Sequence, residues 1–306
     1  ILNESSYEQR ITQAGASIVY QSSVKERFQI ESDADLLNYD TPSALNDDDH
    51  DELITSAVAR YDRFFSDELH GWFELRAART HLVYLLSDRS AENNVTQSLT
   101  LSTHARYETS PLFAEVDGEV FANYTVLDYL DSVPALEGIG DYVMRGLTVS
   151  DSLMASTGFR PFDAAGPLTV QEGTLVQVSE RGSYDETGFS EVLSSQITQL
   201  SGSVTLGLAS MGGAAPWSVQ AGVRAFFLFN EGQNTSSVSS ALSFDELERQ
   251  TRVGPVVIVS LLRWHGMGPM LFGSIWYAVL HDEDLTSGTL TRTPEVEAQL
   301  SAQWNF

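Results

Sequence analysis

The chain has 306 residues, with 17 Lys and Arg against 42 Asp and Glu, a formal net charge of −25 and no cysteine. This balance excludes a nucleic-acid partner, whose phosphates would be repelled, and the missing thiols exclude a disulfide framework, a thiolate metal site and a cysteine nucleophile. Mean hydropathy is −0.12, and no run, the longest being Val256 to Leu262, approaches the ~18–20 apolar residues of a membrane-spanning helix.

The first residues, Ile1 to Ser6, carry neither a basic region nor an apolar one, so no signal peptide is expected in them. Within 1–46 one stretch alternates: Ala14, Ala16, Ile18 and Tyr20 are separated by Gly15, Ser17 and Val19, which makes 14–24 a candidate strand. Residues 47–69 read as a helix. Leu53, Ala57, Tyr61, Phe64 and Phe65 fall on one face at helical spacing, and Asp47, Asp48 and Asp49 suit its N-terminus.

From residue 70 the period changes to two. Strands are expected near 70–87, 95–108, 119–129, 141–151, 168–181, 193–209, 216–230, 253–264, 269–281 and 294–306, with 238–248 as a further candidate. In one of them Leu99, Leu101, Thr103, Ala105 and Tyr107 alternate with Ser98, Thr100, Ser102, His104 and Arg106. In two others Leu200, Val204, Leu206 and Leu208 alternate with Ser201, Ser203 and Thr205, and Trp217 to Phe229 alternate with Ser218, Gln220 and Arg224. Aromatics gather near the strand ends, while the middles are aliphatic or small. A lipid-facing band between two aromatic girdles has this distribution, with a small and polar face turned to water.

The connections add a second signal. Met211 to Ala215 and His265 to Gly268 read as tight glycine turns, alternating with longer polar loops at 130–140, 182–192, 231–252 and 282–293. Short turns at one end and long loops at the other are the asymmetry of outer-membrane barrels. The last strand alternates without a break, Val296, Ala298, Leu300, Ala302, Trp304 and Phe306 against Glu295, Glu297, Gln299, Ser301, Gln303 and Asn305.

That terminal alternation, ending on an aromatic residue, resembles the C-terminal signature of Gram-negative outer-membrane β-barrels. By its size, and by a helix ahead of the first confident strand, the chain is further similar to solitary autotransporter-like barrels without a passenger. The resemblance implies an all-β antiparallel transmembrane barrel over 70–306, preceded by an N-terminal segment, 1–69. An even strand count favours twelve strands, with ten as the alternative. The helix would plug the lumen, hang in the periplasm or belong to a loop, and the 14–24 strand would close the barrel or lie outside it. The resemblance also implies outer-membrane lipids and lipopolysaccharide as surroundings, the barrel-assembly machinery as a partner during insertion, and a monomer.

Within that frame His104, Arg106, Ser201, Thr205, Gln220 and Arg224 are expected to line the lumen. Tyr107, Trp217, Phe227, Phe229, Trp304 and Phe306 are expected in the membrane girdle and the C-terminal signature. Arg76, Arg79, Arg106, Arg145 and Arg224 would pair with carboxylates across the lumen and narrow it. The negative charge should then sit in loops and lumen and avoid the lipid belt.

Catalytic patterns are weak. Val149-Ser150-Asp151-Ser152-Leu153 is faintly similar to the Asp-Ser-Leu block of a serine esterase family, without its partner blocks, since Asp282 follows His281. Ser102 and His104 share a strand face in a possible nucleophile–base arrangement. No His-x-x-x-His, Gly-x-Ser-x-Gly or phosphate loop occurs. The expectation is therefore a non-enzymatic, small or occluded pore or anchoring barrel without cofactor; a hydrolase at the barrel rim, lipase-like, deacylase-like or omptin-like, is the alternative. Acidic clusters at Asp33 to Glu52 and Asp282 to Asp284 read as solvated surface that could hold divalent cations loosely.

Overall fold

A computed structural model describes residues 8–40, 49–85, 93–127, 141–156, 168–185, 190–209, 217–233, 244–261 and 270–303. It contains strands β1 (Glu8–Ser23), β2 (Glu26–Asp40), β3 (His50–Phe64), β4 (Leu69–Tyr84), β5 (Asn94–Thr109), β6 (Leu112–Leu127) and β7 (Tyr142–Ser156). These continue as β8 (Thr169–Asp185), β9 (Ser190–Ala209), β10 (Trp217–Gln233), β11 (Phe244–Leu261), β12 (Met270–Asp284) and β13 (Thr289–Gln303). All pair antiparallel with their sequence neighbours in one 13-stranded sheet, in chain order. No helix occurs among the described residues.

The ten strands expected after residue 70 are present as β4 to β13, and the 14–24 candidate is the core of β1. Two expectations fail. The helix at 47–69 is strand β3, and the count is 13 where twelve or ten was expected. The 238–248 candidate is the first part of β11, so the additional strands are β1, β2 and β3. With an odd number of antiparallel strands, β1 and β13 run in the same direction. Among the described residues no pairing joins them, and the sheet has two edges. Trp304 and Phe306, the aromatic end of the expected C-terminal signature, lie outside the described residues.

The connections are asymmetric only at first. Residues 24–25, 65–68 and 110–111 join strand pairs at one end, against 41–49, 85–93 and 128–141 at the other. In the second half the order is lost: β8 joins β9 through 186–189, and β12 joins β13 through 285–288, where longer loops were expected.

Registry sorts the side chains into two faces, because residues directly opposite in a ladder point the same way. One row runs Ile18, Ile30, Ala59, Leu75, Leu101, Val120, Leu147 and Val178 from β1 to β8. On the same face Ala221, Val257, Ile275 and Ala298 cross from β10 to β13. A row on the opposite face, three residues along, runs Gln21, Arg27, Asp62, Trp72, His104, Asp117, Ser150, Leu175 and Ser201. The period-two pattern of the sequence is thus two physical surfaces, one apolar and one polar.

None of the described residues covers the apolar face. Leu99 is 51%, Val223 55%, Ile275 57% and Leu300 82% exposed. Buried apolar residues among those described are Val143, Val256, Trp276 and Ala278, of which the last three pack with Phe226 and Ile258 on the polar face. A single sheet with its large hydrophobics outside reverses the soluble arrangement, in which they would face a second layer.

Candidate functional site

The ladder between β5 and β6 sets the richest polar cluster. His104 stands directly opposite Asp117, and Arg106 opposite Glu115, all on the polar face. His104 Nδ1 lies 2.8 Å from Asp117 Oδ1. On the β4 side Trp72 is the partner of His104, and the two rings stack with centroids 5.7 Å apart and planes 17° apart. Trp72 in turn receives the Arg60 guanidinium 4.3 Å from its ring centre. Arg60 is held by Asp62 at 3.0 Å and Glu74 at 3.6 Å. His70, one step along β4, places its ring 6.3 Å from that of His104 and stacks on Phe64 at 4.4 Å. Four strands, β3 to β6, therefore contribute to one continuous polar and aromatic surface.

The expected lumen-lining residues share this face. Registry carries it from His104 to Ser201, and Thr205, Gln220 and Arg224 belong to it through the pairs Thr205 with Gly222 and Arg224 with Ser203. Thr205 Oγ1 donates to Gln220 Oε1 at 3.4 Å. Arg224 borders a depression with Ser201, Ser203, Phe272, Ser274 and Gln299. Tyr107, Trp217, Phe227 and Phe229 lie on the apolar face, with Phe227 and Phe229 paired to Leu200 and Thr198.

The arginines do not form the expected ladders across a lumen. Arg76 pairs with Glu74 at 3.3 Å and Arg106 with Glu108 at 2.6 Å, each two residues along its own strand. Arg224 lies over the Trp276 ring at 4.8 Å. Arg79 and Arg145 are on the apolar face, opposite Gln97 and Glu180. Arg145 meets Glu191 at 2.9 Å and Glu180 at 3.4 Å, and Tyr124 donates its hydroxyl to the same Glu191 at 2.9 Å. Short cross-strand spacings favour neighbours over partners across a wide sheet.

Charge separation between the faces is incomplete. Asp151 and Glu172 are on the apolar face, opposite Val116 and Leu153 respectively, and Glu172 accepts a hydrogen bond from Thr174 Oγ1 at 2.6 Å.

The hydrolytic candidates are not brought together: Ser102 and His104 share a face but take different partners. Ser102 Oγ donates to Glu119 Oε2 at 3.3 Å, while His104 is engaged with Asp117. In the esterase-like stretch Ser150 and Ser152 fall on the polar face and Asp151 on the other, since successive strand residues point oppositely. His281 and Asp282 are separated in the same way.

The acidic clusters are also split. Asp33 and Asp35 belong to β2, Asp51 and Glu52 to β3, and Asp282 to Asp284 to the end of β12, while Asp47 and Asp48 lie outside the described residues. The one described group with metal-ligating spacing is His104, Glu115 and Asp117, whose ligand atoms lie within 4.8 Å of one another. Sequence reading missed it. Its signal was available only as His104 on one strand and a Glu-x-Asp pair, Glu115 and Asp117, just past the Ser110-Pro111 turn.

No family model matches the sequence, and no curated protein matches it. Solved structures give fold-level similarities. The copper transporter OprC aligns at 8% identity with a TM-score of 0.41, covering 98% of this chain and 57% of that one. A mutant of the ferric enterobactin receptor PfeA from Pseudomonas aeruginosa aligns at 10% identity with a TM-score of 0.48, covering 96% and 57%. The outer membrane transporter YddB from Escherichia coli aligns at 8% identity with a TM-score of 0.39, covering 97% and 61%. The chain spans about 57–61% of the length of these structures. The autotransporter-like resemblance loses its main support, because the helix on which it rested is β3.

Proposed function

We propose that this chain forms membrane-spanning β-sheet of a Gram-negative outer-membrane barrel, non-enzymatic, with the polar face lining a narrow or occluded aqueous interior. The observation that carries this reading is the uncovered apolar face of a one-layer sheet. Exposed apolar area of this extent is costly in water and is satisfied in hydrocarbon, where strands are the alternative to helices for crossing. Strands of 15 to 20 residues exceed the ~9–11 that a tilted strand needs, so their ends extend past the bilayer core. On this reading His104, Arg106, Ser201, Thr205, Gln220 and Arg224 face water, and Tyr107, Trp217, Phe227 and Phe229 face lipid or its interface.

Two edges cannot stay open in hydrocarbon, where every backbone group needs a partner. Direct closure of β1 on β13 would be a parallel pair, and closure by antiparallel pairs alone needs an odd number of further strands. Cysteines at Ala16 and Ala298 would report which arrangement holds, through disulfide formation within one chain or its absence.

The reading predicts partition into detergent and heat-modifiable gel mobility. Protein that stays in the aqueous phase, with one mobility boiled or unboiled, sinks it. Steady conductance steps in planar bilayers would mark an open interior, and their absence in protein shown to be inserted would mark an occluded one.

A further inference from the structure

We propose that His104, Glu115 and Asp117 form a binding site for a first-row divalent transition ion, Zn²⁺ in the first instance. The geometry is built by one ladder. The direct pair His104–Asp117 and the adjacent pair Arg106–Glu115 put an imidazole and two carboxylates on one face at the same level of the sheet, with ligand atoms within 4.8 Å of one another.

Three features separate this trio from ordinary surface acid. First, the imidazole is oriented before any ligand arrives: its side chain is 15% exposed, stacked on Trp72 and drawn to Asp117. A ligand already fixed by its surroundings loses little freedom on binding. Second, Glu115 has no hydrogen bond or ion pair among the described residues. Arg106, the cation opposite it, is committed to Glu108 at 2.6 Å and to the Phe113 ring at 4.9 Å. Third, a depression adjoins Asp117, bounded by Trp72, Ser102, Gly118, Glu119 and Ser150. The depression leaves room for the waters that complete a coordination shell.

The donor set selects the metal. Ca²⁺ and Mg²⁺ take oxygen ligands, Ca²⁺ six to eight of them, and gain little from an imidazole nitrogen. One nitrogen with two carboxylate oxygens suits Zn²⁺ and its first-row neighbours, and three protein ligands leave positions open. The ion would also relieve repulsion between the two carboxylates, to which Glu119 adds a third, two residues along β6.

The test is calorimetric titration of the folded full chain with Zn²⁺ and, separately, Ca²⁺. The expected result is one Zn²⁺ per chain, with Ca²⁺ at least tenfold weaker, and a loss of tenfold or more in Zn²⁺ affinity for each of His104→Gln, Glu115→Gln and Asp117→Asn. Zn²⁺ binding unchanged in all three variants, or Ca²⁺ binding equally well, overturns the site and leaves only a general acidic surface. A second measurement needs no variant: Mn²⁺ should broaden the His104 and Trp72 ring signals in NMR spectra before any others. Broadening that begins at Asp282 to Asp284 overturns the proposal.

Discussion

The guanidinium of Arg224 lies 4.8 Å from the centre of the Trp276 ring, and Trp276 is only 5% exposed although the sheet has a single layer. Arg224 on β10 is thus a lid on an aromatic residue two strands away, and Val256 on β11 fills the space between them. Trp276→Ala removes the largest member of that cluster and should cost about 3–5 kcal/mol, the range for emptying a large aromatic site. Arg224→Met, which keeps the stem and removes the charge, should cost about 0.5–2 kcal/mol. Urea unfolding of the two variants in the same detergent or lipid measures both; equal losses would mean the ring is not the centre of the cluster.

Leu99 and Ser98 are neighbours on β5 with opposite surroundings. Leu99, 51% exposed, belongs to the apolar face, and Ser98 is opposite Ala78 and Asn123 on the polar one. In a bilayer Leu99→Arg should destabilise the folded sheet by about 2–4 kcal/mol, while Ser98→Arg changes it by less than about 1 kcal/mol. In a water-soluble sheet both would be near neutral, since both side chains would meet solvent. Folding titrations in lipid vesicles separate the two cases by the difference between the variants.

Asp151 is a carboxylate opposite Val116 on the apolar face. Asp151→Val should therefore stabilise the protein in vesicles, by about 1–2 kcal/mol, against the general tendency of substitutions to destabilise. A loss of stability would show that this part of the face does not meet lipid.

Gly254 and Gly273 make a second contrasting pair. The β11–β12 ladder lapses between Val253 opposite Val279 and Val256 opposite Trp276, where Pro255 brings no N–H to donate. There the strands close in, and a Cβ on Gly254 would fall 2.9 Å from Ala278 Cα and collide with the Tyr277 carbonyl oxygen. Gly254→Ala should cost about 1–3 kcal/mol through forced backbone movement. At Gly273 the nearest atom would be 3.7 Å away, on Leu300, so Gly273→Ala should be neutral or slightly stabilising. Thermal or urea unfolding under identical conditions tests the order of the two.

The β12–β13 turn carries the acid-sensitive group outside the apolar band. Asp284 accepts the Ser287 hydroxyl at 2.7 Å and the backbone N–H groups of Ser287 at 3.1 Å and Thr286 at 2.9 Å. These bonds, the Ser287 hydroxyl first, hold its carboxyl below the usual value. A lowered value means that the contribution to turn order is complete above the ordinary carboxylate range and is lost as pH falls through the lowered one. Amide exchange at Thr286 and Ser287 should therefore quicken on acidification. In Asp284→Ala it should already be fast at neutral pH and show little further change.

Much of the fold was legible because a strand in a one-layer sheet has two environments, and alternation records both. It identified β4 to β13, and it put His104, Arg106, Ser201, Gln220 and Arg224 on one face and Tyr107, Trp217 and Phe227 on the other. The helix expectation failed for an identifiable reason. Leu53, Ala57 and Tyr61 are four residues apart, a spacing that shares one face of a helix and equally one face of a strand. Thr55 and Ala59, small or polar, hid the positions between them. Strand β2 went unread because Glu31, Asp33 and Asp35 on its polar side made it look like a solvated acidic run, although Phe28, Ile30, Ala34 and Leu36 alternate with them.

By itself, then, the sequence determined which residues alternate, and hence which surfaces are apolar and which wet, since that depends only on the direction of each Cβ along a strand. Registry, edge direction and partner choice depend on where one strand stops against the next, and no local pattern encodes that. Only the tertiary structure placed His104 beside Glu115 and Asp117, laid Arg224 over Trp276 and kept Ser102 from pairing with His104. Each is a relation fixed by hydrogen-bonded ladders between residues on the same or different strands. The strongly acidic composition proved uneven in the same way: most strand carboxylates took the polar face, and several, Asp151, Glu172 and Glu180 among them, did not.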